Sequence, residues 1–301
     1  MKPTKKFTIK HFNRLKHLFP LQRGNVVYTD YQVMKAMLYA LENGGKQDAS
    51  PSHKCEAFMT GWRQLPKSYG NWNALCRRVN RWAKPGLLAT IFEYLYQEKL
   101  TSMSIDALCL DSTIVKVHPN ASECLLRKYA LKCARFLSGP MRSFKKSGKQ
   151  MMGRSRSFAH IKRVCRTMGG NTTKIHVLSA NEKTPVALSL SAGNSHDAPC
   201  GRRLLGDYGK VEGITLIADR AYEGNETRTL AENLGYDLCI PPKSNRNDVW
   251  DYDKELYKRR NEIERLFRRV QEYRRVFTRY DKLDVMYMGF VAFGFIVEAF
   301  R

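Results

Sequence analysis

Two grammars of apolar spacing meet near residue 104. Before it, apolar positions recur every three or four residues, as on one face of a helix. Phe7 to Phe19 shows the spacing loosely, and Tyr31 to Leu41 shows it strongly until Asn43-Gly44-Gly45 stops it. Asn71 has the chemistry of an N-cap for a helix through Cys76, Val79 and Trp82, ended by Pro85-Gly86. A last helix follows from Leu87 to Leu100. Trp62, Trp72 and Trp82 read as core aromatics.

After residue 104 short strand-like runs take over, at 105–111, 113–118, 173–179, 185–191, 214–218 and 236–240. Helical segments fall between the later runs, at 197–206 and 222–234, and a long helix is expected over 254–275. Strands first, then alternating strand and helix, predict an α/β domain with a mixed sheet covered by helices. The expected organisation is an all-helical N-terminal domain, 1–103, and an α/β domain, 104–301.

Charge narrows the class of partner. The 301 residues carry a formal net charge of +24, which points to nucleic acid before an anionic membrane surface. Residues 121–170 hold 13 Lys and Arg against one acid, Glu123, so half of the excess sits in one basic segment. Arg77, Arg78, Arg81 and Lys84 give one of the early helices a cationic side suited to DNA. The 8 cysteines show no C-x-x-C pair and no matched Cys/His spacing, so a reduced, cytoplasmic protein without a zinc module is expected. Met1 to Lys6 lacks the apolar core of a signal peptide. The longest uncharged run, Val285 to Val297, is too short to span a bilayer of ~30 Å, so it reads as a buried helix.

Against this basic background three acids stand out. Asp111 follows the run Ala107 to Leu110, and Asp219 follows Ile214 to Ala218, so both are expected at strand ends, where α/β folds gather active groups. Glu264 lies in a helix on which Tyr257, Arg260, Glu264, Arg268 and Gln271 share one face. Ile263, Leu266, Phe267 and Val270 form the adjoining apolar stripe that docks this helix on the sheet. Three converging carboxylates raise one another's pKa unless cations compensate them. A pair of Mg²⁺ ions, with Mn²⁺ as substitute, would do so and would serve displacement at phosphorus. Arg260 and Arg268 would then cradle phosphates, and Arg154, Arg156 and Lys174 are further candidate phosphate contacts. His196-Asp197 follows a strand and precedes a helix, so Ser195 or Asp197 reads first as the N-cap and a metal-adjacent role comes second, while His118 and His176 read as structural or close to DNA. No phosphate-binding glycine loop or nucleotide fingerprint occurs, so no ATP requirement is expected.

An ordered set of motifs then carries a resemblance. Asp111-Ser-Thr-Ile-Val-Lys-Val-His118, Gly153-Arg-Ser-Arg156, Thr172-Thr-Lys-Ile-His176, Gly193-Asn-Ser-His-Asp197, Ala218-Asp-Arg-Ala-Tyr222 and Tyr257-Lys-Arg-Arg-Asn-Glu-Ile-Glu264 resemble those of bacterial insertion-sequence transposases. The match is to insertion-sequence family five within the broader DDE transposases, and Trp62-Arg-Gln-Leu-Pro66 and Tyr69-Gly-Asn-Trp72 extend it into the front half. The resemblance implies an RNase H-like catalytic domain with Asp111, Asp219 and Glu264 as catalytic triad and metal ligands. It implies a homodimer that pairs terminal inverted repeats, cuts there and joins 3′-hydroxyl ends to target DNA. The family signature Tyr-x₂-Arg-x₃-Glu-x₆-Lys falls on Tyr257, Arg260 and Glu264, with Gln271 in place of the lysine. Arg268, Arg274 and Arg275 are candidates to replace the missing charge. Extra residues interrupt the pattern at 46–61, 121–145 and 157–168. These departures leave a second reading open: a catalytically impaired copy that binds transposon ends or represses transposition.

Overall fold

In a computed structural model, the strand β1 (Ala107–Val117) sits at the centre of the sheet and separates two apolar clusters. Successive side chains on a strand point to opposite faces. Leu108 and Leu110 therefore enter one cluster, while Ala107, Cys109 and Val115 enter the other. The structure describes residues 7–22, 24–44, 62–122, 165–167, 170–247 and 249–301. Arg154, Arg156, the interruption at 46–61 and the basic segment, apart from 121–122, 165–167 and 170, lie outside the described residues.

One edge of β1 pairs antiparallel with β3 (Gly170–Asn181), which pairs antiparallel with β4 (Thr184–Ala192). The other edge pairs parallel with β5 (Ile214–Ala218), which pairs parallel with β6 (Tyr236–Cys239). The main path is thus β4-β3-β1-β5-β6. Two short strands complete the seven: β2 (Cys165–Thr167) beside β3, and β7 (Thr278–Arg279) parallel to the far end of β1. Neither was expected, because two or three residues are too few to show a period.

Helices α5 (Asp197–Tyr208) and α6 (Asn225–Asn233) supply Leu204, Leu205 and Ala231 to the cluster on one face. Helices α7 (Arg260–Gln271) and α8 (Asp284–Ala299) pack on the other. The stripe Ile263, Leu266, Phe267 and Val270 of α7 is buried as its spacing predicts. The expected helix over 254–275 is broken, however, into a turn at Lys254–Tyr257, then α7, then a turn at Arg274–Phe277. The two strand runs at 105–111 and 113–118 are likewise one continuous β1, so Asp111 stands mid-strand rather than at a strand end.

Ahead of β1 the described residues form helices: α1 (Ile9–Leu15), α2 (Asp30–Asn43), α3 (Trp72–Ala83) and α4 (Leu87–Thr101). Asn71 caps α3, accepting from the N–H groups of Asn73 and Ala74. Trp62 and Trp82 are buried, while Trp72 is only partly so. These helices share a single apolar cluster with α7 and α8. Helix α8 is buried on all sides from Met286 to Glu298, and the Tyr96 hydroxyl of α4 donates to its Phe295 carbonyl at 2.9 Å. Among the described residues, no helix is long and apolar enough to cross a membrane.

Arg279 closes the far end of the sheet with no exposed side-chain surface. Its guanidinium donates to Thr173 Oγ1 of β3 at 3.1 Å, to the Asp281 carbonyl at 2.9 Å and to Asp284 Oδ1 in the first turn of α8 at 2.6 Å. Removing one member of a buried ion pair leaves an uncompensated charge. Arg279→Ala should therefore cost about 3–5 kcal/mol in urea unfolding. A loss below about 1 kcal/mol would mean that this network does not hold β7 in place.

Candidate active site

The register of β1 on β5 places two of the three acids side by side. Cys109 pairs with Ile217 and Leu110 with Ala218, in parallel. The next step brings Asp111 level with Asp219, at the point where β5 ends and the pairing stops. Ala218 belongs to the α5–α6 cluster and Ile217 to the α7–α8 cluster. By alternation Asp111 and Asp219 follow Cys109 and Ile217 and leave the sheet toward α7. The apparent end of a strand in the sequence is thus the end of a parallel partner, while β1 itself continues to Val117.

Each carboxylate is oriented by its own turn of backbone. Asp219 keeps extended dihedrals (φ −79°, ψ 175°), and its Oδ1 accepts from the Ala221 N–H at 2.8 Å, capping a short 3₁₀ turn, Arg220–Tyr222. Asp111 Oδ1 accepts from the Ser112 N–H at 2.7 Å, and its Oδ2 accepts from Arg260 Nη1 at 3.0 Å. The second Nη of Arg260 donates to Glu264 Oε1, one helical turn further along α7. Arg268 stands 4.0 Å from the other Glu264 oxygen with its side chain 80% exposed, free to meet an anion from solvent. Burial pushes the Asp111 carboxyl up to about 6, and the neighbouring charges of Asp219 and Glu264 add to the shift. The Ser112 N–H and the Arg260 guanidinium oppose it.

Ser112, next in the chain, points to the opposite face. Its Oγ donates to Asp197 Oδ1 at 2.9 Å, and Lys174 Nζ from β3 donates to the same oxygen at 2.9 Å. Lys174 also donates to the Ser195 carbonyl at 2.9 Å, so its largely buried ammonium is held inside the fold. The expected cap is corrected here: His196 is the N-cap and makes no side-chain cap bond, while Asp197 lies in the first turn of α5. The Asp197 carboxylate is instead taken by Ser112 and Lys174. Tyr222 lies among these acids. Burial first, then the charges of Asp197, Asp111 and Asp219, push its phenol upward.

The remaining candidates are spread along the same helix and sheet. Tyr257 ends the turn before α7, half-buried and edge-on to Tyr252 with ring centroids 5.5 Å apart. Gln271, in the lysine position of the signature, donates from Nε2 to Thr113 Oγ1 at 2.9 Å and ties the end of α7 to β1. Arg275 cannot replace that lysine at a DNA surface, because it is buried in a two-bond ion pair with Asp281. Arg274 is exposed. Arg78 is engaged by Asp30 at 2.7 Å. His176 is fully buried, with Nε2 2.7 Å from Ser191 Oγ, and His118 packs against Tyr280.

The donors suit a hard divalent cation, being carboxylate oxygens on adjacent strands and a facing helix. Asp111 is pushed up mainly by partial burial, and the charges of Asp219 and Glu264 add to it. Arg260 already bridges two of the acids, so the cluster accepts a cation. As arranged, no three His, Cys, Asp or Glu side chains among the described residues converge closely enough to hold one ion.

Residues 102–291, more than half of the chain, match the family described as Transposase DDE domain, and the chain belongs to that family. Membership implies nuclease and transferase chemistry on DNA, which the family generally performs with divalent metal ions. A Brucella ovis protein named "Putative transposase for insertion sequence element IS6501" is 33% identical over 121 residues, which is 40% of this chain and 92% of that protein. The uncharacterized protein y4sN of Sinorhizobium fredii is 36% identical over 61 residues, 20% of this chain and 46% of its own length. No solved structure matches the chain.

Two measurements check the site without catalysis. The folded-state pKa of Asp111 lies above its ordinary 3.8, so the folded protein holds this proton more tightly than the unfolded chain. The contribution of Asp111 to stability is therefore greatest below pH ~4 and is lost as pH rises through about 6. In chelator, Asp111→Asn should unfold at a higher temperature than the parent at pH 7.5, by on the order of 2 kcal/mol, with a smaller gap at pH 5. A gap that widens toward pH 5 would reverse the sign and refute the account. Gln271→Ala should cost about 1 kcal/mol in denaturant unfolding through loss of the bond to Thr113. An unchanged midpoint would mean that this bond does not brace α7.

Proposed function

We propose that this chain is a metal-dependent transposase of insertion-sequence family five. In this reading it cuts at the ends of an insertion sequence and joins the freed 3′-hydroxyl ends to target DNA. The observation that carries the proposal is the register that sets Asp111 beside Asp219, with Glu264 joined to Asp111 through Arg260. An RNase H-like catalytic domain is supported by three antiparallel strands followed by two parallel ones, in the spatial order β4-β3-β1-β5-β6. The net charge of +24 supports a polyanionic partner. The family-five assignment rests on the motif set, and the helices before residue 104 are the proposed binders of terminal inverted repeats. Two copies would pair the two ends.

Asp111, Asp219 and Glu264 would hold Mg²⁺ or Mn²⁺, two ions in the usual arrangement. Such a pair activates the attacking oxygen and stabilises the leaving one during in-line displacement. The other roles belong to the chain itself. Ser112 and Ala221 orient the two aspartates through their N–H groups. Arg268, exposed beside Glu264, meets a phosphate, and Tyr257 and Arg260 precede Glu264 as further DNA contacts. Arg154 and Arg156 are proposed as further backbone contacts. Lys174 serves the DNA side by holding Asp197 and Ser112 in place behind Asp111. Water and a 3′-hydroxyl present the same nucleophilic oxygen, so one site serves both cutting and joining. Nothing among the described residues favours the impaired-copy reading.

The test is cleavage of a duplex carrying the element's terminal repeat, with Mg²⁺, with Mn²⁺ and with chelator. Metal-dependent nicking at the repeat end is expected. Asp111→Asn, Asp219→Asn and Glu264→Gln should each reduce it by at least about 100-fold while repeat binding in a gel-shift assay persists. Undiminished cutting by any of the three would remove that residue from the triad. Repeat binding without cutting in the parent would transfer the protein to the non-catalytic class.

A further inference from the structure

Arg260 occupies an unusual place for a DNA-contacting arginine. Its fork is spent on two carboxylates, Asp111 Oδ2 at 3.0 Å and Glu264 Oε1, and the side chain is only 24% exposed. The guanidinium stands between the two acids, and in this arrangement no three acids among the described residues can share one ion. A planar five-donor cation matches a pair of carboxylates as well as it matches a phosphate. Both partners cannot be served at once, because both Nη groups face the acids.

Resting on the reading of Asp111 and Glu264 as metal ligands, we propose that Arg260 is a resident cation that competes with the divalent metal for them and is handed to a DNA phosphate when the metal enters. Charge makes the exchange reasonable. Asp111, Asp219 and Glu264 present three negative charges, and Arg260 returns one. A divalent ion supplies more positive charge to the acids and frees a guanidinium at the mouth of the same site. The phosphate of bound DNA is the acceptor within reach, since Arg260 lies one turn from Glu264 and two turns from the exposed Arg268 on α7. Metal and DNA then favour each other through one side chain. Without DNA the site keeps its arginine and binds metal weakly. With DNA the phosphate holds the arginine away, and the acids are open. Coupling of this kind is reciprocal by thermodynamic necessity.

The experiment is Mn²⁺ binding to the full-length chain, followed by electron paramagnetic resonance, without DNA and with saturating duplex. Arg260→Gln removes the competing charge and should bind Mn²⁺ about tenfold more tightly than the parent without DNA. Duplex should raise the parent's Mn²⁺ affinity by a similar factor and leave that of Arg260→Gln unchanged. Arg260→Lys keeps a charge but cannot fork across both acids, so it should fall between the two. If Arg260→Gln binds Mn²⁺ no more tightly than the parent while Asp111→Asn abolishes binding, the acids are ligands and the exchange is wrong. If Asp111→Asn binds as the parent does, the ligand assignment itself falls, and the exchange falls with it. Should Arg260→Gln fail to fold, the parent alone decides: Mn²⁺ affinity indifferent to duplex overturns the coupling.

Discussion

The arrangement of the acidic site depends on where the parallel pairing of β1 and β5 stops. Backbone hydrogen bonding holds the two strands in register through Leu110 and Ala218, and the very next residues are acids. One step earlier, a carboxylate would be buried inside an apolar cluster, at a cost no nearby group could offset. One step later, it would turn to the α5 face, because the strand period is two. The fold thus separates Asp111 from Ser112 by a single peptide bond and by the whole thickness of the sheet. Arg260 answers the first, and Asp197 with Lys174 answers the second.

Charge balance follows from the same geometry. A carboxylate at the margin of a core is poorly hydrated, and two more acids nearby make its ionisation harder. The protein compensates with directed donors: two backbone N–H groups and one guanidinium on the α7 side, an ammonium and a hydroxyl on the α5 side. This compensation is local and incomplete, and it leaves the acids receptive to an external cation. The +24 of the whole chain is a separate quantity from these contacts. Long-range charge brings a polyanion to the surface, whereas the site is governed by contacts of about 3 Å.

Much of this was legible in the sequence, for physical reasons that also mark the limits. The stripe Ile263, Leu266, Phe267, Val270 announced which face of α7 docks, because helical periodicity over about two turns marks one face. Asp111 and Asp219 were legible as acids closing apolar runs. That Asp111 lies mid-strand was not, because Ser112, Thr113 and Lys116 look like a turn and a new strand until pairing with β3 is known. The breaks around α7 were hidden as well, since Lys258, Arg259, Glu272 and Tyr273 are all compatible with a helix. Asp197 was seen as a cap because local spacing shows only neighbours in the chain. Its partners, Ser112 and Lys174, are 85 and 23 residues away. Gln271 looked like a loss of charge. In the folded chain it is a brace between α7 and β1.

Helix α8 carries a consequence for synthesis. Helices α3 and α4 leave the ribosome early, yet they pack on a helix made of residues 284–299. Until that segment emerges, Tyr96 of α4 lacks the Phe295 carbonyl it donates to, and Phe92 lacks the Phe295 ring it packs against. A chain cut short before α8 would leave the side of α4 that α8 covers exposed to water. The covering of α4 therefore waits on residues that are made almost 200 positions later.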